Sequence, residues 1–287
     1  ICAYLEVSAP SGKEMGGLRF GNDGRVTIVS GTLDYGQGHR AAFAQILSAR
    51  LGIPFESIDL LQGDSDELII GGGTGGSRSV IAESGAIYET VDKVIEKGRA
   101  VAGHILEASI EDVEYLDGEF RISGTDRSIG IFELANRTLE NAGAYELPET
   151  LDTELVHTTA PSSFPNGVHV CEVEIDPDTG IVSTDRYTVV DDFGIIVNPL
   201  LAEGQVHGGV VQGIGQALME KIIYDKNGQL LTGSYMDYQL PRAIEIPNIL
   251  FDDYPVPATT NVIGAKGAGE AGCSGALSAV MNAVVDA

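Results

Sequence analysis

The chain has 287 residues, of which 17 are Lys or Arg and 42 are Asp or Glu, so its formal net charge at pH 7 is −25. A chain this acidic repels phosphate backbones and anionic membranes, and with no Trp and only 6% aromatic residues it has few side chains to stack on bases. These features argue against nucleic-acid binding, whereas a hydrophobic content of 43% is that of a folded globular protein.

The cysteines and the chain ends bear on cellular compartment. Cys2, Cys171 and Cys273 are far apart and form no Cys-x-x-Cys motif, so we expect reduced thiols and no zinc or iron–sulfur site. No run of about 18 apolar residues could cross a membrane, and the N-terminus shows no signal core, so we expect a cytoplasmic protein. A start at Ile1 and an end within an apolar run predicted to be helical indicate one piece of a longer polypeptide.

Turn dipeptides between alternating runs predict three antiparallel hairpins. The dipeptides are Asp23-Gly24, Asp117-Gly118 and Asn227-Gly228. Along residues 168–175, His169, Cys171, Val173 and Ile175 share one face and Glu172 and Glu174 the other. This alternation predicts a half-buried strand that is followed by a turn at 178–180.

Apolar residues at helical spacing predict three helices, over 40–51, 80–107 and 206–219, with Gly98 as a candidate break in the longest. Strands and helices mix without a regular βαβ alternation. The predicted fold class is therefore α+β with mixed sheets.

Two similar short motifs within the chain indicate an internal repeat. Residues 36–39, Gly-Gln-Gly-His, are matched by 204–207, Gly-Gln-Val-His, and each motif is predicted to follow a strand and open an amphipathic helix. We therefore predict a tandem repeat of two-layer α/β lobes with mixed sheets, over 1–155 and 156–287. Chance recurrence of four common residues is the alternative.

Glycine makes up 37 of the 287 residues, about twice the usual share of about 7%, and two of its clusters fit an anion. In residues 34–39, backbone N–H groups at a helix start and the Gln37 amide could contact an oxo or phosphate oxygen. In residues 71–79, five glycines, three hydroxyls and Arg78 could wrap a phosphate, although the loop lacks the ending of a nucleotide P-loop. A plain chain reversal and a flexible loop are the respective alternatives.

The third cluster, residues 264–273, isolates Lys266 and Glu270 among small residues ahead of a predicted helix. A carboxylate held at a helix start with open space before it can act as a general base, although most glutamates are solvated surface groups. The five histidines show no metal-ligand spacing. His39 and His207 accompany the two Gly-Gln motifs and could reach a ligand.

Taken in chain order, eight motifs resemble the C-terminal half of the molybdenum-binding subunit of the xanthine dehydrogenase and aldehyde oxidase family. They are Gly36-Gln37-Gly38, Leu51-Gly52-Ile53-Pro54, Gly63-Asp64-Ser65, Gly76-Ser77-Arg78-Ser79, Asp191-Asp192-Phe193-Gly194, Asn198-Pro199, Glu203-Gly204-Gln205 and Lys266-Gly267-x-Gly269-Glu270-Ala271-Gly272. The resemblance implies the α+β molybdenum cofactor-binding domain. It also implies a molybdenum–pterin cofactor, usually the molybdopterin cytosine dinucleotide form in bacteria, with no protein ligand to the metal.

The resemblance further implies hydroxylation of an aldehyde or an N-heterocycle, or with less support CO, with water as oxygen source and hydride transfer to Mo=S. Glu270 aligns with the family's catalytic base and Gln205 with the glutamine near the molybdenum oxo groups. The residues expected to bind the cofactor are Gln37, Gly38, His39, Gly76, Ser77, Arg78, Ser79, Gln205, Lys266 and Gly267.

Several family features have no counterpart in this sequence: the glycine-phenylalanine loop of the first half, the substrate-lining arginine and aromatic residues, and the iron–sulfur and flavin domains. Asp34 stands where relatives often have glutamate. We therefore expect partner chains carrying the N-terminal half of the molybdenum subunit, a 2Fe–2S centre and FAD, and no activity from this chain alone. A non-catalytic module that binds or inserts the cofactor is the alternative function. A glycine-rich structural domain without a ligand would require all the motifs to coincide.

Overall fold

A computed structural model describes residues 1–140 and 147–287. The described residues form eleven strands, which are β1 (Cys2–Leu5), β2 (Lys13–Phe20), β3 (Val26–Ser30), β4 (Ile58–Leu61), β5 (Val113–Leu116), β6 (Glu119–Ile122), β7 (Ser128–Gly130), β8 (Thr153–Thr158), β9 (Asn166–Ile175), β10 (Val182–Asp192) and β11 (Ile249–Asp253). They also form five α-helices, which are α1 (His39–Leu51), α2 (Ser79–Ile105), α3 (Ile131–Glu140), α4 (Pro199–Leu218) and α5 (Ala271–Asp286). Three single-turn 3-10 helices are found at Phe55–Ser57, Ile110–Asp112 and Ala243–Glu245.

The chain forms two compact units. Unit 1 comprises Ile1–Pro10, Ser162–Thr260 and Gly264–Ala287, and unit 2 comprises Ser11–Pro161 and Asn261–Ile263. The first strand of the chain, β1, therefore belongs to the unit that contains the C-terminal residues.

Each unit is built on a four-stranded mixed sheet. In unit 2 the strand order is β4-β3-β2-β8, with β2 antiparallel to β3 and β8, and β3 parallel to β4. In unit 1 the order is β1-β9-β10-β11, with β9 antiparallel to β1 and β10, and β10 parallel to β11. Because parallel neighbours need a crossover, α1 connects β3 to β4 and α4 connects β10 to β11.

The order of elements confirms the predicted α+β fold with a tandem repeat. The series β1-β2-β3-α1-β4-α2 is followed later in the chain by β8-β9-β10-α4-β11-α5. The first strand of each series lies in the unit formed by the rest of the other series: β1 pairs with β9 in unit 1, and β8 pairs with β2 in unit 2.

The two similar motifs from which the repeat was predicted, residues 36–39 and 204–207, are nevertheless not at equivalent positions in the structure, so that part of the prediction is wrong. His39 is the first residue of α1, with Gly38 as its N-cap. Residues 204–207, in contrast, lie inside α4, which begins at Pro199 after the N-cap Asn198, whose side chain accepts the Leu201 N–H. The proline fixes the helix start, so the topological counterpart of Gly38-His39 is Asn198-Pro199.

Local sequence signals agree well with the elements. The predicted helix 40–51 lies within α1, and the predicted helix 206–219 lies within α4 except for Met219. The first turn dipeptide joins β2 to β3, and the second joins β5 to β6. The third dipeptide closes only an isolated antiparallel bridge between Tyr224 and Leu230. The predicted strand 168–175 lies within β9, with His169 and Cys171 on its buried face.

The expected break at Gly98 is wrong, since α2 is continuous from Ser79 to Ile105. The glycine is needed there for packing: an added Cβ would lie 2.1 Å from Phe120 Cζ. In unit 2, α2 packs on β2 and β8, and in unit 1, α5 packs on β9 and β1. None of the helices in the described part of the chain has the length and apolar character needed to cross a membrane.

Candidate functional site

The first predicted loop, residues 34–39, is a tight turn that opens α1 in unit 2. The Asp34 carboxylate accepts hydrogen bonds from the N–H groups of Gly36 (2.8 Å), Gly38 (3.3 Å) and His39 (2.9 Å). Partial burial opposes ionisation of Asp34, but these bonds and the nearby His39 hold its pKa below its usual value. The Gln37 amide oxygen accepts the Tyr35 N–H, so the group that Gln37 can offer a ligand is its NH₂ donor.

The His39 side chain has a packing role. Its ring is buried and stacks on Phe43 at a centroid distance of 4.8 Å, and its Nδ1 lies 3.2 Å from Gln62 Nε2. Burial lowers the pKa of His39, which favours the neutral imidazole.

The second predicted loop, residues 71–79, exposes backbone at the start of α2. Gly73 and Gly76 have positive φ angles, and an added Cβ at Gly75 would meet no described atom within 4 Å. Arg78 is the N-cap of this 27-residue helix, and its side chain makes no capping hydrogen bond. The Ser79 and Thr74 hydroxyl oxygens lie 2.7 Å apart. Bare glycine backbone beside an uncapped helix start suits an anionic group such as phosphate.

Arg78 itself is engaged inside unit 2. Its Nη2 donates to Glu14 Oε2 and to the Lys13 carbonyl oxygen, each at 3.0 Å. An added Cβ at Gly72 would lie 2.6 Å from Arg78 Nη1, so the guanidinium lies against that glycine. The sequence predicts Arg78 as a charge for an anionic ligand, whereas in the structure Glu14 compensates this charge and the pair joins the loop to β2.

A second buried carboxylate, Glu83, lies one turn into α2. Its Oε2 accepts a hydrogen bond from Ser30 Oγ at 2.6 Å, and its Oε1 has no hydrogen-bond partner among the described residues. Burial, with a smaller contribution from Glu14, raises the pKa of Glu83 well above its usual value. Sequence reasoning missed both glutamates. The available signal was a lone acid in the otherwise uncharged run 80–87.

In unit 1, α4 and α5 run parallel at close range. An added Cβ at Gly272 would lie 2.5 Å from the Val206 carbonyl oxygen, and one at Gly213 would lie 2.5 Å from Ala276 Cβ. Gln205 immediately precedes Val206, and Glu270 is the N-cap residue of α5, two residues before Gly272. The structure therefore brings Gln205 and Glu270 to the same end of the helix pair, where Glu270 is exposed.

Lys266 and Gly267 are anchored just ahead of α5. Lys266 Nζ donates to Asp192 Oδ2, and the Gly267 N–H donates to Ser8 Oγ at 3.2 Å. Burial opposes ionisation of Asp192, but Lys266 and the N–H groups of Val256 and Gly194 lower its pKa overall. Asp192 is a third residue whose role the sequence does not give, although it lies in one of the resembling motifs.

The side chains in the described ranges form no group of three or more His, Cys, Asp or Glu residues arranged to hold a metal ion. What the two units offer is different: glycine-rich backbone at the start of α2 and the Gln37 NH₂ group in unit 2, and an amide and a carboxylate at one end of α4 and α5 in unit 1. The first arrangement can hold an anionic group, and the second can accept a proton.

Residues 1–247 match the family model described as the molybdopterin cofactor-binding domain. The chain is 37% identical over 276 residues to the 6-hydroxypseudooxynicotine dehydrogenase complex subunit gamma of Paenarthrobacter nicotinovorans, an alignment that covers 96% of this chain and 35% of that protein. It is 28% identical over 291 residues to the xanthine dehydrogenase molybdenum-binding subunit of Escherichia coli O157:H7, which covers 98% of this chain and 38% of the relative. The chain thus spans about a third of the length of these relatives.

The structure is similar to the crystal structure of the Cu,Mo-CO dehydrogenase in its carbon monoxide reduced state, with a TM-score of 0.88 and 32% identity. The similarity covers 99% of this chain and 37% of the solved chain. Together with the family match, it confirms the resemblance that the eight sequence motifs indicate.

Proposed function

Because the chain belongs to the molybdopterin cofactor-binding domain family, we propose that it is the C-terminal part of the molybdenum-binding subunit of a molybdenum hydroxylase. Its span of about a third of its relatives supports partner chains or segments that carry the N-terminal half of that subunit, a 2Fe–2S centre and FAD. The substrate class that we propose is an aldehyde or an N-heterocycle.

The observation that carries this proposal is the exposed glycine backbone at the start of α2, which fits a phosphate-bearing pterin cofactor. The start of α2, where the N-cap side chain makes no capping hydrogen bond, and the open space at Gly75 suit a pyrophosphate, as in the cytosine dinucleotide form of the cofactor. The residues proposed to hold it are Gln37, Gly38, His39, Gly76, Ser77, Arg78 and Ser79 in unit 2, and Gln205, Lys266 and Gly267 in unit 1. For His39 the contribution would be indirect, through support of the loop, since its ring is buried and its N–H donates to Asp34.

When bound, the molybdenum cofactor supplies the two-electron oxidation of the substrate, with water as the source of oxygen. The proposed contribution of this chain is to take up a proton at the Glu270 carboxylate. An exposed carboxylate at the start of α5 is accessible for this role. The Gln205 amide, on the adjacent helix, is proposed to donate a hydrogen bond that orients the cofactor.

The test uses the enzyme purified with its native partner chains. Glu270→Gln should leave about one molybdenum per complex, and CMP released on hydrolysis, while turnover of an aldehyde or N-heterocycle substrate falls at least about hundredfold. The matched control is Glu174→Gln, which changes an exposed carboxylate on β9 of the same unit and should leave turnover unchanged.

Retained turnover in Glu270→Gln would contradict the base assignment. Molybdenum and CMP without any turnover in the unsubstituted complex, and without an iron–sulfur partner, would favour a cofactor-binding or insertion module. Neither molybdenum nor CMP in an intact assembly would refute cofactor binding.

A further inference from the structure

We propose that Asp192 is a positioning residue that holds the loop carrying Glu270 in place. The catalytic part of this inference rests on the proposed function, in which Glu270 is the base. The structural part stands on the hydrogen bonds of Asp192 alone.

Asp192 is the last residue of β10, and one carboxylate there joins four segments of unit 1. Its Oδ1 accepts the N–H groups of Gly194 and Val256, each at 2.9 Å. Its Oδ2 accepts Lys266 Nζ, and Asn166 Nδ2 lies 3.3 Å away at the start of β9. Hydrogen bonds from one buried carboxylate to several separate segments are the arrangement expected of a fixed anchor.

The backbone around this carboxylate is joined in the same way. The Lys266 N–H donates to the Phe193 carbonyl oxygen at 2.8 Å. The Gly264 carbonyl oxygen accepts the N–H groups of Ile195 and Ala258, each at 2.9 Å. Glu270 is four residues beyond Lys266, so the segment that leads into α5 is fixed on the side that faces β10.

Burial makes the ion pair depend on both partners. The side chains of Lys266 and Asp192 are 11% and 10% exposed, so neither charge is well hydrated when the other is lost. The adjacent Asp191 points to the other face of the strand, where its Oδ1 lies 3.4 Å from His169 Nε2 in the core. The His169 ring in turn packs under α5, since an added Cβ at Gly275 would lie 2.5 Å from its Cε1.

Asp192→Asn tests the anchor. The change keeps the side-chain size but turns an NH₂ group or a neutral oxygen towards the Lys266 ammonium. We expect the amides of residues 192–195 and 258–270 to exchange hydrogen for deuterium about tenfold faster or more in the assembled enzyme, while peptides from the core of β9 keep their protection. We also expect kcat to fall about tenfold or more, with KM little changed and molybdenum content intact.

A second variant perturbs the same contact without changing Asp192. Gly194 has a φ of +61°, and an added Cβ would lie 2.2 Å from the Gly264 carbonyl oxygen, so Gly194→Ala should give the same pattern of exchange and kcat. Asp185→Asn is the matched control, because it removes an exposed carboxylate from the same strand, and it should change neither.

The results separate the two proposals. Faster exchange in the loop with unchanged kcat would support the anchor and contradict the role of Glu270. Retained turnover in Glu270→Gln would also contradict that role, but it would not bear on the anchor. Unchanged exchange in both Asp192→Asn and Gly194→Ala would overturn the anchor, whatever happens to turnover. Loss of protection throughout unit 1 in both variants would also overturn it, because Asp192 would then stabilise the whole unit rather than the loop.

Discussion

Arg78 Nη2 lies 3.0 Å from Glu14 Oε2, and the Glu14 side chain is completely buried. Burial raises the pKa of Glu14, whereas Arg78 and the Met15 N–H oppose that shift. The arginine at the start of α2 is therefore the counter-ion of an internal carboxylate as well as a member of the glycine-rich loop. Replacing it will affect unit 2 even when no ligand is present.

A double-mutant cycle on this pair measures the dependence. Arg78→Met should lower the free energy of unfolding by about 3 kcal/mol, because it leaves a buried carboxylate without its counter-ion. Glu14→Gln should cost less, and the double variant should be more stable than the sum of the two single changes predicts, as followed by urea unfolding. Strict additivity of the two single effects would mean that the two side chains do not interact.

Glu83→Gln should change how stability depends on pH. The unfolded chain ionises Glu83 near its usual pKa of 4.5, whereas the folded chain keeps it protonated well above that value. The native protein should therefore lose stability relative to Glu83→Gln as pH rises above about 4.5, by up to about 1.4 kcal/mol per pH unit.

Unfolding of the native chain and Glu83→Gln should be followed from pH 4 to pH 8. The exposed Glu111 supplies the control, since Glu111→Gln should run parallel to the native chain over this range. A constant difference between the native chain and Glu83→Gln would show that Glu83 is ionised in the folded state.

Features set by neighbours in sequence could be predicted from the sequence. The hairpin at Asp117-Gly118 and the helix α1 depend on turn residues and on a 3.6-residue period, and both lie where the sequence places them. The exchange of β1 and β8 could not be predicted, because Cys2 pairs with His169, a residue distant in sequence, and many strands could satisfy the same alternation.

In the candidate site, too, local features could be predicted from the sequence and contacts between distant residues could not. Glycine-rich helix starts identify the loops at 34–39 and 71–79, because the requirement for bare backbone is local. The partners of those loops are not local: Glu14 lies 64 residues from Arg78, and Asp192 lies 74 residues from Lys266. No spacing rule in a single sequence connects such pairs, so their roles emerge only from the folded chain.

Asp34→Ala should loosen the first loop. It removes the acceptor for the N–H groups of Gly36, Gly38 and His39, and we expect a loss of about 1–2 kcal/mol in the free energy of unfolding at pH 7. The folded pKa of Asp34 is lowered, so this stabilisation is present above its usual value of 3.8 and is lost as pH falls through the folded pKa. Unfolding curves of the native chain and the variant should converge as pH falls well below 3.8, and a difference that persists there would assign the effect to packing.

Gly98→Ala should destabilise unit 2 even though alanine is the better helix former. Helix propensity alone favours alanine by about 1 kcal/mol. At Gly98, however, the new Cβ would lie 2.1 Å from the Cζ of the fully buried Phe120, so either the ring or the helix must move. We expect a net loss of about 1–3 kcal/mol in the free energy of unfolding.

Gly208→Ala is the control, at an exposed position of α4 where no described atom lies within 4 Å of an added Cβ. It should gain about 0.5–1 kcal/mol in the free energy of unfolding. Equal effects of the two substitutions would show that α2 bends away from β6 in solution, since only a separated Phe120 ring would leave room for the methyl group.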